Sequence, residues 1–267
     1  MMRIPRRPSI RIAFAALLLA AILCVYIFLV EPNLLEVVWI QESDEPGVRI
    51  VFFADLHMWR YRSFHDRVLQ TIRDLNPDLI LFGGDALAKW TVVPDMERFF
   101  DELRHISQVW AIFGNWEEYA PVHMRKRYEN LGVPLLEMNS EILEINGRKI
   151  GLTGLESPYF FHRTVFLDPD EPLDAKILLV HAPNQLERYP HIVREYDFVL
   201  AAHTHGGQWY IPRLTEWFLR VTGQGDYHFF RGVYEWEETV VFVTRGIGQW
   251  LPGRFNSVPE IAVLDLP

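Results

Sequence analysis

Cysteine is almost missing from this chain. The one present, Cys24, lies inside an apolar run, so no intramolecular disulfide can form and the rest of the chain can hold no thiolate metal site. Basic residues are also scarce: 26 Lys and Arg face 35 Asp and Glu, for a formal net charge of -9. Four of the basic residues, Arg3, Arg6, Arg7 and Arg11, precede the first apolar run, so the body that follows is more acidic still. Such a body lacks the Lys/Arg footprint that a phosphate backbone needs, which argues against nucleic acid as a partner. Small phosphorylated substrates stay open, because metal ions can bring positive charge to one place. Repeats and low-complexity tracts are absent too. Hydrophobic residues at 49% and charged residues at 23% exclude a disordered chain, and 267 residues suffice for a short appendage and one domain.

Ile12–Val30 carries no charge, and about 20 such residues cross a hydrocarbon core. Arginines precede the run, and Glu31 and Glu36 follow it. The pattern predicts a single-pass anchor in the cell (inner) membrane, with the N-terminus cytoplasmic and the domain outside. A cleaved signal peptide is the rival, but its apolar core would be shorter, and Ala20 and Ala21 are followed by more apolar sequence. The expected division is a tail and anchor over 1–33, a linker over 34–47 and one domain over 48–267.

Within that domain the first half alternates apolar strands with amphipathic helices. Val48–Ala54, Asp78–Phe82 and Gln108–Phe113 read as strands; Phe64–Leu75, Asp95–Ile106 and Val122–Leu131 read as helices. The second half is strand-rich, with Glu141–Ile145, Lys149–Leu155, Lys176–Val180, Asp197–Ala202, Thr239–Thr244 and Ile261–Leu266, and Asn146-Gly147 signals a hairpin. The class is α/β, with two packed mixed β-sheets flanked by helices after one N-terminal transmembrane helix.

Polar residues recur where these strands stop. Asp55-Leu56-His57, Gly84-Asp85, Gly114-Asn115, His181 and His203-Thr204-His205 each follow an apolar strand. Ligands of open α/β sheets gather beyond the carboxyl ends of strands, so the recurrence builds one cluster on rigid supports. A lone Asp there is ordinarily a turn residue and a lone His a core or surface residue; the ordered set favours ligation. Oxygen and imidazole donors without thiolate suit Mn, Fe or Zn.

Asp-x-His, Gly-Asp, Gly-Asn, His and His-x-His in that order resemble the calcineurin-like metallophosphoesterase superfamily, from about Val48 to the C-terminus. His203–Gln208, Arg245–Gly248 and Pro252–Asn256 resemble a bacterial membrane-associated branch, some of whose members hydrolyse UDP-2,3-diacylglucosamine in lipid A synthesis. The resemblance implies a four-layer sandwich holding two divalent ions, Mn²⁺ foremost with Fe or Zn as alternatives. It assigns Asp55, His57 and His205 to one ion, Asn115, His181 and His203 to the other, and Asp85 as the bridge. Asp85, Asn115 and His203 would be the catalytic members, and water would attack phosphorus in line without a covalent enzyme intermediate.

One residue departs from the family pattern. Trp116 stands after Gly114-Asn115, where the superfamily usually has a His that protonates the leaving oxygen. Positioned acid catalysis is worth about 10²–10⁴-fold. Either the leaving group needs no proton, as in a phosphoanhydride, or Glu117 or His65 substitutes, or catalysis is impaired. The first is favoured and points to a lipid-linked phosphorylated substrate, with UDP-2,3-diacylglucosamine the best named candidate. That nucleotide lipid belongs on the cytoplasmic side, against the arginine bias; a domain outside would favour undecaprenyl-type or phospholipid-derived phosphates. The competing class is a metal-binding scaffold or interaction module with little turnover.

Arg254 and Asn256 are candidate substrate contacts together with Trp116, though the first two can equally anchor the last strand. The segment Leu214–Tyr234, with Trp217, Phe218, Tyr227, Phe229 and Phe230, reads either as a loop with its own small core or as an interfacial patch admitting an acylated substrate. His105, His123, His162, His191 and His228 are assigned ordinary structural or solvent roles.

Overall fold

Both faces of β2 (Val48–Phe53) are apolar, and the period-2 geometry of a strand sends them to different places. Val51 and Phe53 pack with Phe82, Phe99 and Tyr128 beneath helices, whereas Ile50 and Phe52 pack with Ile177, Leu200 and Phe242 of a second sheet. A strand buried on both faces belongs in the interior of a layered α/β fold. The computed structural model shows that arrangement; it describes residues 10–119, 121–155, 167–168, 172–221 and 229–267. Tyr227, His162 and His228 lie outside the described residues.

The first sheet runs β1 (Glu36–Gln41), β11 (Glu260–Leu266), β2, β3 (Leu79–Phe82) and β4 (Gln108–Ala111). β2, β3 and β4 are mutually parallel, and β11 runs against β2 but along β1. The second sheet runs β5 (Ser140–Ile145), β6 (Arg148–Leu155), β7 (Ala175–Val180), β8 (Phe198–Ala201), β10 (Thr239–Val243) and β9 (Gly232–Trp236). Its four inner strands are parallel; the outer two pair antiparallel. Asn146 and Gly147 both take positive φ, as the tight β5–β6 turn requires.

The first sheet is covered by α2 (Ser63–Leu75), α3 (Val93–Arg104) and α4 (Pro121–Leu131), whose apolar faces share one core with it. α2 stops where Asn76 turns left-handed ahead of Pro77. The outer face of the second sheet meets α5 (Pro190–Val193), with Leu186, Tyr196 and Phe229. The expected pair of mixed sheets flanked by helices is therefore present.

Two expectations need correction. The segment 34–47 is not a free linker: it contains β1, which pairs with β11 at the sheet edge, and Val38 and Ile40 reach the core between the sheets. The run Val37–Ile40 is apolar and mostly β-branched, a strand signal that the linker reading passes over. The segment after Leu214 is not all loop: it opens with a helix, α6 (Leu214–Val221), and β9 begins at Gly232.

α1 (Ile10–Val25) precedes all of this. It continues through a π-helical turn over Tyr26–Val30 and a 3-10 turn over Glu31–Asn33. The 24 residues Ile10–Asn33 are long and apolar enough to cross a membrane, and nearly all of their side chains are exposed.

Candidate metal centre

Parallel strands from both sheets end at one edge of the molecule, and each delivers polar groups there. β2 leads to Asp55 and His57, β3 to Asp85, β4 to Asn115, β7 to His181, and β8 to His203 and His205. The loops touch because two glycines let them. A Cβ on Gly84 would strike the backbone of Gly114, and a Cβ on Gly114 would strike the Asp85 carboxylate.

All seven sequence-predicted donors meet. Ligand atoms of Asp55, His57 and His205 lie within 4.8 Å of one another, and so do those of Asp85, His181 and His203. Asp85 Oδ2 stands between the groups, 3.5 Å from His57 Nε2 and 3.4 Å from His181 Nε2. Asn115 Oδ1 joins the second group, 2.9 Å from His203 Nδ1 and 3.1 Å from His181 Nε2.

The surroundings prepare these atoms as ligands. His57 Nδ1 and His181 Nδ1 each lie 2.8 Å from a backbone carbonyl, of Leu87 and Gly83, which places a ring proton there and turns Nε2 inward; the His57 Nε2 is bare, and the His181 Nε2 faces Asp85. Asp55 accepts the His203 N–H, and Asp85 Oδ1 accepts the Trp116 N–H at 2.8 Å. Five of the seven donors, Asp55, His57, Asp85, His203 and His205, take positive φ. Left-handed backbone at non-glycine residues costs on the order of 1 kcal/mol or more each and concentrates at functional sites.

Several features fit divalent cations. His57 Nε2 and His205 Nε2 face each other at 3.0 Å, although burial holds both rings below the usual imidazole range. The other ring nitrogen of His205, Nδ1, is buried without a hydrogen-bond partner. Burial, assisted by the charge of Asp85 against the pull of His181, pushes the Asp55 carboxyl up to about 7. Burial and His181 hold His203 down at about 4. For Asp85, burial opposes ionisation, but His181, His57 and the Trp116 N–H outweigh it and hold the carboxyl below its ordinary range. Burial likewise opposes charge on His181, yet Asp85 raises it to about 10. Three neutral imidazoles, of His57, His203 and His205, thus crowd against two carboxylates and a single buried cation, His181, and divalent ions would bind here by displacing the His181 proton.

The remaining candidates fall elsewhere. Trp116 lies beside the donors, its ring edge-on to His57 at 5.6 Å. Glu117 does not face the cleft. Its buried carboxylate accepts N–H groups from Asp85 (2.9 Å), Ala86 (2.7 Å), Leu87 (3.2 Å) and Gly114 (2.8 Å), so it ties the Asp85 loop to the Asn115 loop. His65 is a capping residue: its Nδ1 accepts the Arg62 N–H at the start of α2. Arg254 is fully buried and donates to the carbonyls of Arg245, Gly246, Gly248 and Ser257, so it anchors the last loop instead of meeting a phosphate. Asn256 is exposed, donates a long 3.4 Å hydrogen bond to Tyr210 O, and is not among the residues that line the cavity. Sequence reasoning missed the clamp made by Glu117; its spacing two residues beyond Asn115 was the available signal.

A cavity of about 800 Å³ opens over the donors. Its other walls are largely aromatic and aliphatic, including Trp116, Trp209, Leu214, Phe218, Trp250 and Leu251.

Residues 48–207 match the sequence model of the calcineurin-like phosphoesterase family. The Escherichia coli phosphodiesterase YaeI is 27% identical over 82% of this chain and 82% of its own length. The UDP-2,3-diacylglucosamine pyrophosphatase LpxG of Chlamydia muridarum is 22% identical over 88% of this chain and 90% of its own. An uncharacterised Campylobacter jejuni metallophosphoesterase is 27% identical over 82% of this chain, and the match spans 59% of that relative's length. Among solved structures, the Thermus thermophilus sulfate thiohydrolase SoxB superposes with a TM-score of 0.53 at 13% identity, over 85% of this chain and 58% of its own, a likeness of fold alone.

Proposed function

The chain belongs to the calcineurin-like phosphoesterase family, a metal-dependent phosphoester hydrolase by its fold and family, and from that premise we propose that it is a membrane-anchored two-metal enzyme acting on a lipid-linked phosphoanhydride. Asp55, His57 and His205 would hold one ion, Asn115, His181 and His203 the other, and Asp85 both. Mn²⁺ is the favoured metal. When bound, the ions supply Lewis-acid charge at the phosphoryl oxygens and activate water.

The residues around them do the remaining work. Glu117 keeps the Asp85 and Asn115 loops in register through four N–H groups. The Trp116 N–H orients the Asp85 carboxylate. The apolar walls exclude water and accept the hydrocarbon part of the substrate.

The observation that carries the substrate reading is the want of a proton donor beside Asn115. Trp116 cannot transfer a proton to a leaving oxygen, the Glu117 carboxylate is occupied by backbone amides, and burial and the nearby Arg62 charge hold the His65 ring neutral, at about 4, with Nδ1 engaged. A phosphate leaving from a phosphoanhydride departs without that proton; an alkoxide does not. UDP-2,3-diacylglucosamine combines such a bond with two acyl chains, and the similarity to LpxG supports it.

Full-length protein in detergent with Mn²⁺ is to be assayed for UMP release from UDP-2,3-diacylglucosamine, beside bis-p-nitrophenyl phosphate. The expected result is metal-dependent turnover of both, lost in Asp85→Ala. No metal-dependent turnover, with wild type and Asp85→Ala alike, sinks the enzyme reading in favour of a scaffold. Turnover of the model ester alone sinks only the named substrate.

A further inference from the structure

The exposed face of α6 has the pattern of a buried one. Leu214, Trp217, Phe218 and Val221 fall at helical spacing, and each is more than half exposed. Leu214 and Phe218 also line the mouth of the cavity over the metal centre, with Trp250 and Leu251, themselves exposed apolar residues. An amphipathic helix that turns its apolar stripe outward beside a cavity needs an apolar surrounding.

The end of α1 is joined to that same rim. The Arg254 N–H donates to Ile27 O at 2.9 Å, and the Ser257 N–H donates to Glu31 Oε1 at 2.6 Å. Glu31 and Ile27 are buried, and a Cβ on Gly253 would run into Ile27 and Phe28. Phe28 sits edge-on to Trp209 at 5.6 Å, and Trp209 lines the cavity. The carbonyl of Trp209 in turn accepts from Thr215 of α6. The chain thus emerges from its apolar span one side chain away from the cavity mouth, through buried contacts with no flexible spacer.

We propose that the rim formed by α6 with Trp250 and Leu251 docks into the leaflet from which α1 emerges, so that the cavity opens onto the bilayer and a substrate's acyl chains enter it sideways from the membrane. This rests on the reading of Ile10–Asn33 as a membrane span. The occupant is lipid because the surface is continuous with the end of that span, and because its composition, two Trp and a Phe among aliphatic residues, is that of an interfacial belt. Arg213, exposed at the start of α6, sits where an interfacial cation meets acidic headgroups.

Cys24 is the one cysteine, so Cys24→Ser provides a background for site-specific labels. A nitroxide-quenchable NBD fluorophore goes on full-length protein at Leu17→Cys in the span, at Val221→Cys on α6, or at Glu144→Cys by the β5–β6 turn at the far end of the strands. The proteins are reconstituted in phosphatidylethanolamine/phosphatidylglycerol vesicles with or without nitroxide-labelled lipid. The expected result is strong quenching at Leu17 and at Val221 and none at Glu144. Quenching at Leu17 without quenching at Val221 overturns the docking face while leaving the anchor intact. A blue-shifted Val221 label that lipid nitroxides do not quench shows a second copy covering α6, and overturns it too. No quenching at Leu17 removes the anchor, and the inference with it. As a second measure, Trp217→Ser combined with Val221→Ser should leave hydrolysis of bis-p-nitrophenyl phosphate unchanged and slow that of UDP-2,3-diacylglucosamine in vesicles about tenfold. Equal rates on the vesicle substrate count against lateral delivery.

Discussion

Replacing Glu117 by Gln changes almost no volume but strikes the joint between two ligand loops. In the wild type, one carboxylate accepts four backbone N–H groups at 2.7–3.2 Å. A Gln side chain can accept from two of them and presents its own NH₂ to the other two. Two buried donors then lose their acceptors, at about 1–3 kcal/mol each. Something is returned: burial and the neighbouring Asp85 raise the Glu117 carboxyl from 4.5 to about 7, and removing that unfavourable charge gives back at most about 3 kcal/mol. The two effects oppose each other, so melting temperature does not isolate the clamp and is the wrong assay. Geometry has no such cancellation, since the amides of Asp85 and Gly114 must move apart from the new NH₂. Residues that support ligands in this way typically affect metal affinity or activity by about 10–100-fold. Calorimetric titration of metal-free protein with Mn²⁺, run beside kcat/KM on bis-p-nitrophenyl phosphate, should show both falling by that order. Wild-type Mn²⁺ affinity, with a rate loss confined to poor leaving groups, would refute the clamp and make Glu117 a proton donor.

Trp116→His restores a donor beside Asn115 and should narrow the rate gap between p-nitrophenyl and alkyl phosphodiesters by about tenfold or more; an unchanged gap removes the leaving-group reasoning. His65 is held neutral in the fold, with its pKa lowered to about 4 from 6.5 by burial and by Arg62. The unfolded chain binds the extra proton, so this contribution is complete above about pH 6.5 and is lost as pH falls towards 4, up to about 3 kcal/mol. Denaturant titrations should show His65→Gln with a flatter acid limb than wild type. Arg254→Met strips donors from four backbone carbonyls and should cost about 3 kcal/mol or more in chemical denaturation, with KM unchanged in whatever remains folded; normal stability with a raised KM would restore the phosphate contact. Protease added to intact spheroplasts should degrade the C-terminal domain if the arginine bias sets topology, which would turn the substrate from UDP-2,3-diacylglucosamine to undecaprenyl-type or phospholipid-derived phosphates; protection would put the domain in the cytoplasm beside that nucleotide lipid.

The set of candidate donors is legible in the sequence because it is written on strand ends. An apolar run followed at once by Asp, Asn or His can be read locally, and strand direction alone brings such endings to one edge. Trp116 was legible for the same reason, as a neighbour of Asn115. Arg254 and Glu117 were not. An arginine near a predicted site invites a phosphate, and a glutamate near a missing acid invites a proton, until burial shows backbone carbonyls and amides already filling both.

Sequence by itself determined the two-sheet α/β class, the apolar run and the seven residues proposed as donors, since each depends on periodicity or on residues a few positions apart. Tertiary structure decided the rest. It drew 34–47 into the sheet as β1 through pairing with a strand more than 200 residues away. It turned the apolar stripe of α6 outward, and it fastened the end of α1 to the loop around Arg254. Those outcomes depend on which surfaces meet across the whole chain. Periodicity shows that a face is apolar, but only packing shows what covers it.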